Sequence, residues 1–159
     1  MSTHKKPYIG LKYVLAKASF YTEQSRVQLY RINPKGADVF VIPAWDRDGI
    51  VDLVAWQCDR PERFGSLNGD VFALGQDLID NPFSYAFGSP LHVFRTPVRW
   101  LCNGQRGICI LKPAEAHSWL RRVPALAAED ERHGRQIKQL IQPPAPRARI
   151  LVPDRRILA

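Results

Sequence analysis

The chain has 159 residues, 45% hydrophobic and 24% charged, with three cysteines and a net charge of +8. That length and balance suit one domain burying about two-thirds of its unfolded surface, and they exclude a wholly disordered chain. Charges or prolines break every apolar run short of the ~18 residues a membrane-spanning helix needs.

Residues 8–19 carry a helix-like apolar stripe of Tyr8, Ile9, Leu11, Val14, Leu15 and Ala18, with Lys12 and Lys17 beside it. Residues 26–32 alternate as a strand, ended by the turn Asn33-Pro34-Lys35-Gly36. The clearest local signal spans residues 38–57. Two β-rich runs flank Asp46-Arg47-Asp48-Gly49, where Asp tolerates turn geometry and Gly49 can take a positive φ. Both runs are apolar on both faces, which predicts a hairpin in mid-sheet covered by at least one helix.

Residues 58–70 read as a polar loop and residues 71–74 as a short strand. Residues 81–90 form an aromatic-rich loop (Phe83, Tyr85, Phe87) expected to fold back onto the core. From Leu91 the pattern alternates. Residues 91–95 read as a strand, 97–102 as a helix opened by Pro97, 107–111 as a buried strand and 113–123 as a helix opened by Pro113. A last helix over 128–141 begins with Glu129, Asp130 and Glu131 and ends with Lys138, the order the helix dipole favours. The alternation permits a parallel crossover, though residues 97–104 are short for one.

The compact domain is expected to occupy residues 1–142. Residues 143–159 form an extended Pro/Arg-rich tail, with two loosely matching seven-residue segments starting at Pro146 and Pro153. The expected fold is α+β: a single domain, its mixed or antiparallel sheet built around the 38–57 hairpin, with packed helices and the extended tail.

The charge is segregated. Residues 1–35 hold seven Lys/Arg against one Glu, residues 36–90 three Arg against nine Asp/Glu, and residues 91–159 thirteen Lys/Arg against five Asp/Glu. An acidic middle thus lies between basic flanks, and basic flanks point to a polyanionic partner. The expected contacts are Lys5, Lys6, Lys12 and Lys17, then Arg121, Arg122, Arg132, Arg135 and Lys138, then Arg147, Arg149, Arg155 and Arg156 in the tail. Arg95, Arg99 and Arg106 add to the basic half. Internal pairing with the acidic middle is the competing use of these cations. In the tail, Ile150, Leu151, Val152, Ile157 and Leu158 form an apolar peptide suited to docking on a partner or a second copy.

Signals for catalysis are weak. Asp46, Asp48 and Asp52 gather at the hairpin, and Asp46 with Asp52 approximates a metal-dependent phosphodiesterase layout. The strand position where such sites carry Lys is Val54. Cys102, Cys109 and His117 match no tetrahedral zinc spacing, and neither a Gly-x-Ser-x-Gly elbow nor a phosphate loop occurs. No cofactor or metal is expected. Three cysteines without a CxxC pair fit a reducing cytoplasm better than a disulfide scaffold. These features favour a non-enzymatic, nucleic-acid-associated accessory or adaptor protein that grips a polyanion backbone through its basic flanks. The alternatives are the nuclease at Asp46 and Asp52, and a protein–protein or self-assembling module using residues 146–159.

Overall fold

The computed structural model describes residues 13–23 and 27–143. The tail and the first twelve residues lie outside that description, so the domain boundary expected near Gln142 is not tested by it. The fold is α+β, in one compact body.

Strands β1 (Val14–Thr22), β2 (Gln28–Ile32), β3 (Ala37–Trp45), β4 (Ile50–Gln57) and β5 (Phe64–Ser66) close into a small barrel, in the order β1-β2-β5-β4-β3. All neighbours are antiparallel except the seam of β2 with β5, where Leu29 pairs with Ser66. The seam needs a close backbone approach. A Cβ added at Gly65 would sit 2.5 Å from the carbonyl oxygen of Gln28. Ala18, Tyr30, Val39, Val41 and Ala55 fill the interior.

The predicted hairpin is β3–β4, with a register shift at Ala44/Trp45 beside the turn. Its second apolar face points out of the barrel. There Ile42, Ala44, Val54 and Trp56 pack with Val71, Leu74, Trp100, Cys109 and Leu111. Trp100 belongs to α1 (Pro97–Cys102), so a helix does cover the hairpin.

The remaining strands, β6 (Ala73–Leu74), β7 (Leu91–Phe94), β8 (Ile108–Ile110) and β9 (Leu126–Ala127), form a second sheet in the order β6-β8-β7-β9. β7 runs parallel to both β8 and β9. The short segment holding α1 is therefore a genuine parallel crossover, and α2 (Ala116–Leu120) lies in the next connection. α3 (Glu131–Leu140) closes the far face, where Ile137 joins Phe72, Leu91, Val93, Ile108 and Leu120 in a separate core. Among the described residues no helix is long and apolar enough to cross a membrane.

Three expectations need correction. Residues 14–19 belong to a strand rather than a helix, because β1 is hydrogen-bonded on both sides and alternates Ala16, Ala18 and Phe20 inward. Val14 and Leu15, which suggested the helical stripe, are 61% and 64% exposed. The loop 58–70 contains β5, the strand that closes the barrel. The sheet is thus a closed barrel plus a smaller mixed sheet, not one open sheet.

The seam makes a specific prediction. Gly65→Ala should cost about 1–3 kcal/mol by overpacking, read as a lower urea midpoint. An unchanged midpoint would show that the barrel closes less tightly than described.

Candidate nucleic-acid interface

The two carboxylates of the nuclease alternative have local structural tasks. Asp46 accepts hydrogen bonds from the backbone N–H groups of Asp48 (2.8 Å) and Gly49 (3.2 Å), closing the hairpin turn. Asp52 is buried and accepts from the N–H groups of Leu53 (2.7 Å), Asn68 (3.1 Å) and Asp70 (3.0 Å). It therefore staples the 68–70 turn to β4. Burial, with the charge of Asp52 adding to it, pushes the nearby Tyr30 hydroxyl up to about 12. Among the described residues no three His, Cys, Asp or Glu side chains gather to hold a metal ion. Cys109 is fully buried, which pushes its thiol well above the usual range, while Cys58 and Cys102 are exposed and free. Asp52→Asn replaces an acceptor with a donor facing backbone N–H, and should lose roughly 1–3 kcal/mol in urea unfolding.

Three of the four acids within residues 91–143, Glu129, Asp130 and Glu131, stand at the head of α3. Arg95, at the end of β7, grips Asp130 with two bonds of 2.6 and 2.7 Å and reaches Glu129 at 3.2 Å. Glu129 also accepts from the Arg95 backbone N–H at 3.0 Å and lies 3.6 Å from Arg99. Asp130 is the N-cap of α3, accepting from His133 N–H at 2.8 Å. The Arg95 guanidinium holds the Asp130 carboxyl well below the usual carboxylate range. His133 is buried, and its Nδ1 accepts from the Glu129 N–H at 3.3 Å, which requires an unprotonated nitrogen there. Burial first, and then the charge of Arg95, lower its pKa against the opposing pull of Glu129 and Asp130. His117 Nδ1 lies 2.7 Å from the Ile141 carbonyl and ties α2 to the end of the helix.

Both shifts are depressions, so the folded state binds fewer protons than the unfolded state and stability falls on acidification. The His133 part is fully present above about pH 6.5 and is lost as pH falls through the lowered value; the Asp130 part goes at still lower pH. Hydrogen exchange of α3 amides should accelerate on acidification from pH 7.5 to pH 5, after correction for intrinsic rates. Replacement of His133 by Gln should flatten that change. Equal pH dependence in both proteins would refute the assignment.

The remaining ion pairs decide which predicted contacts stay free. Lys112 pairs with Glu115 (3.1 Å), Arg135 with Glu131, and Lys17 with Asp38 (2.9 Å). All four acids within residues 91–143 are thus engaged by cations of that same stretch. Arg106, Arg121, Arg122, Arg132 and Lys138 are exposed and have no ion pair among the described residues. Lys17 and Arg135, both expected as contacts, are already paired. Among the described residues only the Lys17–Asp38 pair joins a basic flank to the acidic middle. Lys5, Lys6, Lys12, Arg147, Arg149, Arg155, Arg156 and the apolar tail residues Ile150, Leu151, Val152, Ile157 and Leu158 lie outside the described residues.

Two of the free cations line a cleft of ≈ 340 Å³ between residues 79–85 and 118–124. Arg121 and Arg122 stand there with Tyr85, Ser118 and Trp119, and Asp80 is the one carboxylate. Trp119 stacks on Phe72 (ring centroids 5.0 Å apart, planes 3° apart), yet keeps 37% of its surface exposed. The aromatic loop beside the cleft does not fold back as expected. Only Tyr85 turns inward, donating its hydroxyl to the Ile79 carbonyl at 2.7 Å. Phe83 is 86% exposed and Phe87 is fully exposed, the latter at a left-handed φ of 56°. Such a conformation costs a bulky residue roughly 1–3 kcal/mol and clusters at functional positions. The aromatic crowding in residues 81–90 was the available signal for this surface. Its direction was not readable, because a Phe pattern does not distinguish burial from display.

Comparisons with family models, curated proteins and solved structures give no match for this chain.

Proposed function

We propose that this protein is a non-enzymatic accessory factor that binds single-stranded nucleic acid without reading its sequence. The observation that carries the proposal is the set of uncompensated cations flanked by displayed aromatic rings. Arg121 and Arg122 line a cleft with Trp119 and Tyr85, and the same loop displays Phe83 and Phe87. Cations neutralise phosphates and release counterions, while aromatic faces stack on unpaired bases of any identity. A duplex hides those faces, so the aromatic share of the surface favours single strands. Arg106, Arg132 and the basic residues of both termini extend the electrostatic contribution in this reading.

The test is fluorescence anisotropy with a labelled oligo-dT across a salt series. Affinity should fall with salt, and the Arg121→Glu/Arg122→Glu pair should reduce the slope by about 1.4, from two single-strand phosphate contacts. Phe83→Ala and Phe87→Ala should each weaken binding by ~1–3 kcal/mol if each ring holds one base, with little change in thermal stability. Binding insensitive to salt and to all four substitutions would overturn the proposal.

A further inference from the structure

A second groove, of ≈ 430 Å³, lies between residues 120–128 and α3. Leu126 and Ala128 line one wall, and Gly134, Ile137 and Ile141 line the other. Arg121 and Lys138 are the charged groups in the lining, which contains no carboxylate. Both are exposed and without an ion pair among the described residues.

Gly134 supplies an independent observation. Within a helix, glycine is the poorest former after proline. A Cβ added there would meet only the Ala128 Cβ, at 3.7 Å, which is ordinary contact, and the residue's φ is not positive. Among the described residues nothing requires the missing side chain. Its absence keeps the helical wall of the groove low.

We propose that this groove docks a partner segment shaped as an amphipathic acidic helix, apolar on the side it buries and carboxylate-bearing on its flanks. Leu-type anchors would fill the space between β9 and α3, and carboxylates would meet Arg121 and Lys138. Charge argues against the chain's own tail as occupant. Residues 144–159 carry four Arg against one Asp, a net of +3, and the tail of a second copy would bring the same cations. A nucleic-acid backbone offers charge but no apolar ridge for the floor.

The experiment uses the full chain and a fluorescein-labelled peptide with Leu at every third or fourth position and Glu between. Two control peptides replace Glu by Lys, or Leu by Ser. The acidic apolar peptide should bind, and each control should bind at least roughly tenfold more weakly. Lys138→Glu should weaken binding about tenfold. Gly134→Ala should raise the urea midpoint while weakening the peptide, and Gly134→Leu should abolish binding in a protein that remains folded by circular dichroism. No binding of the Leu/Glu peptide, equal binding of its Lys counterpart, or full binding by folded Gly134→Leu would overturn the proposal. So would loss of oligo-dT binding in folded Gly134→Leu, since the groove would then belong to the nucleic-acid site. The same holds if, without peptide, the triple tail variant Ile150→Ser/Leu151→Ser/Val152→Ser shifts the Ile137 and Ile141 methyl resonances, since the occupant would then be the tail.

Discussion

The structure depends on one hairpin that is buried on both sides. Val39, Val41 and Ala55 of β3 and β4 close the barrel interior, while Ile42, Ala44, Val54 and Trp56 of the same strands form the floor on which the second sheet and α1 rest. The barrel core and the core between barrel and second sheet both need this shared wall, while the core under α3 stands apart from it. The contacts on either side of the interface are specific: within the hairpin Phe40 stacks on Trp56 with centroids 5.7 Å apart, and in the second half Trp100 donates its indole N–H to the Gly107 carbonyl at 2.8 Å. Asp52 completes the arrangement from inside the strand. Its two oxygens take three backbone N–H groups that would otherwise be left without an acceptor where the chain leaves the barrel. A buried carboxylate in a strand therefore reports a demand for acceptors, which a cluster of aspartates in a sequence resembles but does not reveal.

The docking of α3 sets the surface charge. Each acid at the head of this helix has a cation assigned by geometry: Glu129 and Asp130 to Arg95, and Glu131 to Arg135. The Arg135–Glu131 pair is exposed and contributes modestly to stability, whereas the Arg95 contacts, partly buried on the Glu129 side, tie the end of β7 to the helix across 34–35 positions. Their larger consequence is subtractive. With the nearby acids engaged, Arg121, Arg122, Arg132 and Lys138 remain without an ion pair among the described residues. Among the described residues the acidic middle makes no ion pair with them: Asp46 closes the hairpin turn, Asp52 forms the staple, and Asp80 lines the first cleft beside Arg121 and Arg122 without pairing.

Much of the architecture could be read from residue patterns, and the failures have identifiable causes. The β3–β4 hairpin and the helical cover over it follow from two-faced apolar runs around Asp46–Gly49. The crossover followed from Pro97 and Pro113 opening helices between apolar strands. β1 departs from the helical expectation because Val14, Leu15 and Ala18 fit a helical spacing, while its strand character comes from partners 6 to 27 positions away in the chain. β5 has three residues, Phe64-Gly65-Ser66, too few for a local pattern, and it exists because the seam needs a glycine at that point. At the proposed interface, Arg121 and Arg122 were identified by charge alone. Trp119, Tyr85, Phe83 and Phe87 were not, since their roles depend on which way a loop turns.

The two grooves meet at Arg121, which together with Val123 and Pro124 lines both of them. This shared side chain has a thermodynamic consequence for the two proposed ligands. Both are anionic, and one guanidinium neutralised by a carboxylate offers less to a phosphate. Occupation of the α3 groove by an acidic segment must then weaken nucleic-acid binding in the adjacent cleft, and by linkage the reverse holds with the same factor. Coupling of this kind needs no conformational change, only competition for a charge held at the boundary. Arg122 faces the first cleft alone and Lys138 the second alone, so neither ligand loses its whole electrostatic contact when the other is bound. The geometry thus favours partial antagonism between the two partners rather than mutual exclusion.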